Sequence, residues 1–263
     1  MFDYLPASAA VCLYVLAAVL GLVLGSALNC LSFRIARHEK WSGASRSCCP
    51  VCGHTLGAAD LVPLLSWLFL RGQCRYCGTK ISPRYPLTEA LLALCFVSLL
   101  YRFGLGADTL SAAVLCCCLL CLSLVDLDTQ LIPDRFLVIP AAVRAVQLLL
   151  EAGLPGLLRG VLPGLVVAGA VLLLALAMEK FLHKDAMGGG DIKLLALLGM
   201  FFGFPEMLLL LIFACVLGIF MAAILMKVDP ETAFPFGPAL SLAAWLTLIA
   251  GDSIVSWYLS LFA

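Results

Sequence analysis

Charged residues are scarce in this chain. Asp, Glu, Lys and Arg together make up only 12% of the 263 residues, whereas 63% are hydrophobic. A soluble domain needs a polar, charged surface around its apolar core, so this composition excludes a globular soluble protein. We therefore predict an integral membrane protein.

The motifs of several common hydrolases are also missing. The sequence contains neither GxSxG nor HExxH, and its three histidines, His38, His54 and His183, are scattered along the chain. These motifs supply the nucleophile of many serine hydrolases and the metal ligands of many zinc proteases. Both classes are therefore disfavoured.

Long uncharged stretches recur along the whole chain. Five have close to the roughly 20 residues that a spanning helix needs, at 4–33, 109–125, 160–178, 207–226 and 232–251. Three more are shorter or carry a charged residue, at 87–103, 136–150 and 194–204. We predict an all-α polytopic membrane protein with about eight transmembrane helices in contact with membrane lipid.

The basic residues concentrate in one loop. Residues 34–86 carry eight of the 16 Lys and Arg but only two acidic residues, Glu39 and Asp60. The positive-inside rule places this loop in the cytosol and the N-terminus outside. The formal net charge of zero hides this asymmetry and gives no reason to expect a nucleic-acid partner. We expect a first transmembrane helix, a cytosolic four-cysteine loop and a transmembrane core, at 1–33, 34–86 and 87–263.

The thirteen cysteines fall into two groups. Eight lie in apolar stretches, where free cysteine packs as a small hydrophobic residue. The other five lie in the loop, in CCPVCGH and RGQCRYCG, which hold two CxxC pairs 21 residues apart. This spacing predicts a small zinc-ribbon-like loop with a closed, structural zinc site of four thiolates, at Cys49, Cys52, Cys74 and Cys77. Cys48 is an alternative to Cys49, His54 is expected beside the site, and a reducing cytosol disfavours disulfides.

Carboxylates lie at two of the predicted cytosolic membrane edges. LVDLDTQLIPD carries Asp126, Asp128 and Asp134, and GGGD ends in Asp191. Charges inside a bilayer cost several kcal/mol, so acidic residues at these places need a reason. Two carboxylates in one confined site can divide the acid and base roles, as in aspartyl proteolysis. The flexible glycine backbone before Asp191 can approach an extended peptide without a side-chain clash.

Each carboxylate also has a structural interpretation. Asp134 follows a proline and precedes an apolar stretch, which is typical of a helix N-cap. Asp128 can be solvated in the turn. Asp191 can cap a helix over 192–204 with Lys193 as its charge partner, and a glycine run often marks a hinge or a phosphate nest. The spacing alone therefore leaves the dyad open.

Seven fragments follow one another from end to end of the chain. They are GLVLGSALNCLSFR, CPVCGH, LVPLLSWLFLRGQCRYCG, SPRYPLTEA, LVDLDTQLIPD, MGGGDIKLLALLG and FPFGPAL. In this order and spacing they make the chain similar to the bacterial type IV prepilin peptidases. That family comprises GxGD-type intramembrane aspartyl proteases that act as leader peptidases and N-methyltransferases of pilus and type II secretion systems.

The resemblance implies both a function and site residues. By motif, Asp126 and Asp191 correspond to the catalytic pair, and Gly188 and Gly190 to the fixed glycines of GxGD. The implied activity is removal of a short basic leader from prepilins and pseudopilins at the cytosolic face of the bacterial inner membrane. Methylation of the new N-terminal residue from S-adenosylmethionine follows in that family. No GxGxG-type nucleotide loop is present, so the methyl-donor site is unknown.

Other parts of the resemblance concern residues outside the catalytic pair. Gly189 stands at the variable GxGD position, where relatives often have a bulkier residue. We expect Arg84, Glu89 and the FPFGP fragment to hold helices in register.

Two other functional classes fit part of the sequence. A transporter or channel would bind protons or cations at aspartates beside broken helices. An assembly or scaffold protein would retain the fold without turnover. Cleavage of a prepilin, as opposed to proton-coupled flux, separates the peptidase from both.

Overall fold

The computed structural model describes residues 6–38, 47–182, 187–228 and 235–262, and these are predominantly helical. A 3-10 turn at Ala58–Asp60 precedes the second helix, and the described residues contain only isolated β-bridges and no longer strand. The all-α prediction is confirmed. The helices are α1 Ala7–Ala36, α2 Leu65–Phe69, α3 Arg84–Phe103, α4 Ala107–Thr129, α5 Arg135–Leu182, α6 Gly189–Leu198, α7 Phe204–Val228 and α8 Gly237–Ser260.

Six of these helices are long and apolar enough to cross a membrane: α1, α3, α4, α5, α7 and α8. Helix α5 has 48 residues and a non-helical backbone at Gly153, where φ is 63° and ψ is −161°. At 1.5 Å per residue its length of about 70 Å is enough for two spans, one on each side of this break. Counting α5 twice and adding the short α6 gives the eight helical segments expected from the sequence.

Helix α6 differs from the segment predicted at 194–204. It begins earlier, at Gly189, and ends at Leu198 after ten residues. A helix of this length extends only about 15 Å and does not cross a bilayer by itself. The apolar residues that follow form a turn before α7, which begins at Phe204.

The chain divides into two compact units, Met1–Leu105 and Gly106–Ala263. In the first, α1 packs on α3 through glycines: a Cβ on Gly21 would lie 2.6 Å from Ala93 Cα, and one on Gly25 would lie 2.8 Å from Glu89 Cα. Small residues let membrane helices approach this closely. Buried Asn29 adds an interhelical hydrogen bond by donating from Nδ2 to Thr88 Oγ1.

In the second unit, α4 packs against α5 and α8, α6 packs against α5, and α7 packs against α8. The far end of α6 is fixed at two points. A Cβ on Gly199 would overlap the backbone of Gly164 in α5. In addition, Arg144 of α5 donates from Nε to the carbonyl of Met200 at 3.1 Å and pairs with Asp108 of α4 at 2.9 Å. These contacts hold α6 in place and thereby position its N-terminal residues.

Candidate active site

Asp126 lies in the last turn of α4, where its side chain is buried among apolar residues. Its Oδ2 accepts a hydrogen bond of 3.0 Å from the backbone N–H of Gly237. Gly237 is the first residue of α8, and Phe236 before it provides no side-chain cap. The first N–H groups of a helix have no partner within that helix. Asp126, at the end of α4, therefore accepts an N–H that has no partner within α8. This N–H in turn gives the buried carboxylate a hydrogen-bond donor.

Asp191 lies in the first turn of α6, outside the six membrane-crossing helices. Its backbone N–H donates to Gly188 O at 3.1 Å, which closes the turn at the helix start. Its side-chain Oδ1 is buried and has no hydrogen-bond partner among the described residues. Burial and, to a smaller extent, the charge of Asp126 raise the pKa of Asp191 to about 6. The two carboxylates thus lie close enough to influence each other's protonation, although they are far apart in sequence.

The segment between α4 and α5 connects the two carboxylates. It contains Ile132, which packs on Gly190, and Asp134, whose Oδ1 lies 2.8 Å from Lys193 Nζ. Both contacts attach the residues that follow Asp126 to the start of α6. The exposed ion pair by itself contributes little stability, so the apolar contact is the more important of the two.

The positions and contacts of Asp134, Asp128 and Asp191 bear on the structural interpretation of each. Helix α5 begins at Arg135, so Asp134 lies immediately before it, and its carbonyl accepts the N–H groups of Leu137 and Val138. Asp128 is exposed. The idea that Asp191 caps a helix and pairs with Lys193 is wrong, because Gly188 lies at the N-cap and Lys193 pairs with Asp134.

The three glycines before Asp191 differ in the space around them. A Cβ on Gly190 would lie 2.8 Å from Ile132 Cβ, and one on Gly188 would lie 3.2 Å from Asp191 Oδ2. A Cβ on Gly189 would have no atom of the described residues within 4 Å. The open surroundings of Gly189 explain why the second position of a GxGD sequence can vary. The close contacts of Gly188 and Gly190 mean that a side chain at either would crowd the site.

We expect Gly190→Ala to lower the turnover of this site about tenfold and Gly189→Ala to leave it within about twofold of the unsubstituted protein. The added methyl at Gly190 must displace Ile132 or the start of α6, whereas the methyl at Gly189 enters open space. Assays of both variants at equal concentrations of folded protein measure the difference. Equal activity of the two would contradict the explanation.

The four cysteines predicted as metal ligands come together in the first unit. Sγ atoms of Cys49, Cys52, Cys74 and Cys77 all lie within 4.8 Å of one another, and the distance from Cys49 to Cys77 is 3.8 Å. A tetrahedral site with Zn–S bonds of about 2.3 Å has S–S edges of about 3.8 Å. All thirteen cysteines are free thiols. The cluster could therefore hold a metal ion such as zinc.

The two CxxCG segments form the same turn. Gly53 and Gly78 have φ of 68° and 71°, and each donates its N–H to the carbonyl of the first cysteine of its pair at 2.9 Å. Only glycine adopts this left-handed conformation without strain, which explains the glycine after each pair. Backbone hydrogen bonds from Cys52 and Val51 lower the pKa of Cys49, as a thiolate ligand requires.

Residues around the cluster brace the loop. Cys48 is exposed and outside the sulfur group, and the ring of His54 stacks on Tyr76 at 3.6 Å, beside the site as expected. Asp60 accepts hydrogen bonds from Arg75 Nε at 2.7 Å and from Tyr76 OH at 2.9 Å. These bonds explain why the second CxxC segment keeps its position relative to Asp60.

Glu89 connects the loop to α3. Its side chain is buried, and Oε2 accepts a hydrogen bond of 2.7 Å from the N–H of Leu64, immediately before α2. Leu64 has a φ of 61°, which is unusual for a residue other than glycine. We expected Glu89 to hold helices in register. In the structure it connects a helix, α3, to the loop.

Sequence reasoning missed the contact between Asp126 and Gly237. The FPFGP fragment contains the donor, but this donor is a backbone N–H, and such a group leaves no side-chain signature in the sequence. The only available signal was a glycine at the start of a helix, where a Cβ would lie 2.6 Å from Asp126 Oδ2.

Comparison with known proteins places this arrangement in a family. The family model of the Bacterial Peptidase A24 N-terminal domain matches residues 19–103, and that of the Type IV leader peptidase family matches residues 113–223. A prepilin leader peptidase/N-methyltransferase of Aeromonas hydrophila is 40% identical over 222 residues, which cover 82% of this chain and 76% of that protein. No solved structure matches the chain.

Two proteins of the same description come from other bacteria. The one from Neisseria gonorrhoeae is 33% identical over 271 residues, covering 93% of this chain and 94% of its own length. The one from Bacillus subtilis (strain 168) is 33% identical over 246 residues, covering 92% of this chain and 96% of its own length. The similarity therefore extends over both units, including the cysteine loop and both carboxylates.

Proposed function

Since this chain belongs to the type IV leader peptidase family, we propose that Asp126 and Asp191 form its catalytic pair. The protein is a multi-pass enzyme of the bacterial inner membrane that removes the leader from type IV prepilins and N-methylates the new N-terminal residue. The observation that carries the proposal is the half-buried carboxyl group of Asp191, whose pKa is raised by burial and by Asp126.

The surroundings of the two carboxylates differ, and this difference supports different roles for them. Asp126 accepts an N–H hydrogen bond, which favours a negatively charged carboxylate. Asp191 Oδ1 has no donor among the described residues and its pKa is raised to about 6; both favour protonation relative to a free carboxyl group, so we propose that Asp191 is the member that carries the proton. In aspartyl proteolysis the charged member acts as base and the protonated member acts as acid.

The chemical steps follow from these roles. Asp126 takes a proton from water while the resulting hydroxide attacks the scissile carbonyl carbon, and Asp191 gives its proton to the carbonyl oxygen. The tetrahedral intermediate then loses its C–N bond as Asp126 returns a proton to the leaving amine. The hydroxyl proton from the former carbonyl goes back to Asp191, which restores the starting state.

We further propose that the site faces the cytosol and that the N-terminus lies outside. The excess of basic residues in 34–86 and the alternation of spans from that loop support this orientation. A short basic leader then stays in the cytosol, and the apolar segment of the substrate lies in the bilayer. Pseudopilins of type II secretion share this design and are proposed as substrates alongside prepilins. Gly188 and Gly190 are proposed to position the substrate through Asp191, because a side chain at either glycine would crowd Asp191 or Ile132 at the start of α6.

The experiment that tests the proposed function uses purified protein in detergent and a prepilin that carries its leader. We expect the leader to be removed at a single bond, seen as a mass shift of the product. An intact substrate after prolonged incubation with folded protein would contradict the proposal, and a proton-coupled flux in liposomes would then favour a transporter.

We also propose that the four-cysteine cluster binds one structural zinc ion. Four thiolates leave no open coordination position, so the metal would stabilise the loop and would not activate water. The methyl donor is proposed to be S-adenosylmethionine, as expected from the resemblance, and no residue of this chain is assigned to its pocket.

Replacing one ligand tests the metal site. In Cys74→Ser, bound zinc is expected to fall from about one ion per chain to well below half of that, because three thiolates hold the ion much less tightly. Metal analysis of purified protein measures the ratio. Cys48→Ser is the matched control, since Cys48 is adjacent to a ligand but outside the sulfur cluster, and it should retain full zinc. Zinc lost in the control and kept in Cys74→Ser would reverse the assignment of ligands.

A further inference from the structure

Within the described part of the chain, two buried polar side-chain atoms have no hydrogen-bond partner, Asp191 Oδ1 and Ser241 Oγ. A buried polar group without a partner destabilises the fold, so each case needs an explanation. For Asp191 the proposed catalytic role provides one. Ser241 has no role so far, although its side chain is more than nine-tenths buried.

Ser241 lies on the helix face that approaches Asp126. It is four residues after Gly237 on α8, and residues four apart in a helix share one face. Gly237 is the residue whose N–H donates to Asp126, and α8 packs against α4. At 1.5 Å per residue, Ser241 is about 6 Å further along α8, one turn deeper in the helix bundle. Ser241 therefore lies one turn from the contact that α8 makes with Asp126.

Other buried hydroxyls of the same unit make hydrogen bonds within their own helix. Ser111 donates to Asp108 O at 3.1 Å, Ser123 donates to Leu119 O at 2.7 Å, and Thr247 donates to Ala243 O at 2.9 Å. This is the usual arrangement of Ser and Thr in a helix interior. Ser241 makes no such bond, so its O–H is available to donate to another molecule.

We propose that Ser241 is a substrate-positioning residue whose Oγ–H donates a hydrogen bond to a backbone carbonyl of the extended peptide beside Asp126 and Asp191. The inference depends on the proposed peptidase function. An extended chain advances about 3.3 Å per residue, so a distance of about 6 Å corresponds to two residues. The carbonyl is therefore about two residues from the scissile bond, on the side that enters the helix bundle. Since every peptide carries this carbonyl, the contact does not depend on substrate sequence.

Steady-state kinetics of Ser241→Ala test the proposal. We expect KM for a prepilin to rise about tenfold and kcat to stay within about twofold, because a bond made equally to substrate and transition state affects binding alone. The thermal unfolding temperature should be unchanged or higher, since a methyl group replaces an unsatisfied hydroxyl. A loss of affinity without a loss of stability is the signature of a substrate contact.

Ser111→Ala provides the matched control. Ser111 is also buried, but its hydroxyl is bonded within α4 at the end opposite Asp126. This variant should keep the KM of the unsubstituted protein and unfold at a slightly lower temperature.

Two outcomes would overturn the role of Ser241 alone: an unchanged KM in Ser241→Ala, or a fall in kcat together with a lower unfolding temperature, which indicates packing. Failure of the unsubstituted protein to cleave any prepilin would instead overturn the proposed function, and this inference with it.

Discussion

Replacing either Asp126 or Asp191 by asparagine is expected to reduce prepilin cleavage about 10³-fold or more. Asparagine keeps the size and most hydrogen-bonding capacity of each side chain but can neither take a proton from water nor give one to the carbonyl. In Asp126→Asn the amide oxygen can still accept the Gly237 N–H, so the packing of α4 on α8 should survive. Cleavage of a leader-bearing prepilin, followed by mass spectrometry, measures the effect, and thermal unfolding in detergent verifies the fold.

Asp128→Asn is the matched control for this experiment. Asp128 belongs to the same helix end as Asp126 but is exposed, so its replacement should leave cleavage within about twofold of the unsubstituted protein. Full activity in Asp126→Asn or in Asp191→Asn would contradict a two-carboxylate mechanism. An equal loss of cleavage in Asp128→Asn would show that Asp126→Asn acts by disturbing the end of α4 and not by removing the Asp126 carboxylate.

Local spacing is the reason why so much of the cysteine loop could be predicted from the sequence. Each CxxCG segment folds within itself: the glycine takes a positive φ, and its N–H returns to the first cysteine of the pair. The braces around the cluster, such as the contacts of Asp60 with Arg75 and Tyr76, depend on tertiary structure and carry no pattern in the sequence.

The helices were predicted well where their apolar stretches are long and poorly where tertiary contacts set their ends. The segment 194–204 is a continuous apolar stretch in the sequence, yet α6 ends at Leu198. The chain turns there, where Gly199 lies against Gly164 and Arg144 donates a hydrogen bond to the Met200 carbonyl. The pairing of Lys193 with Asp134 instead of Asp191 is likewise a contact between elements 59 residues apart. The sequence around Lys193 does not reveal which carboxylate it pairs with.

The contact between Asp126 and Gly237, which the sequence predicts least, is the basis of a second prediction with a large effect. Gly237→Ala is expected to reduce cleavage about 10²-fold. The new Cβ would lie 2.6 Å from Asp126 Oδ2, so either the carboxylate or the start of α8 must move. A carboxylate displaced by even about 1 Å from its productive position loses roughly this factor in rate. Gly169→Ala, also within a helix but with no atom within 4 Å of the added Cβ, should keep full activity.

Stability measurements can show whether Gly237→Ala acts through Asp126. In the unsubstituted background the clash should cost about 1–3 kcal/mol in the free energy of unfolding. In an Asp126→Ala background the side chain that the new methyl meets is gone, so the same substitution should cost close to nothing. This double-mutant cycle gives a coupling energy between the two residues. Equal costs in both backgrounds would mean that the methyl at Gly237 disturbs α8 independently of Asp126.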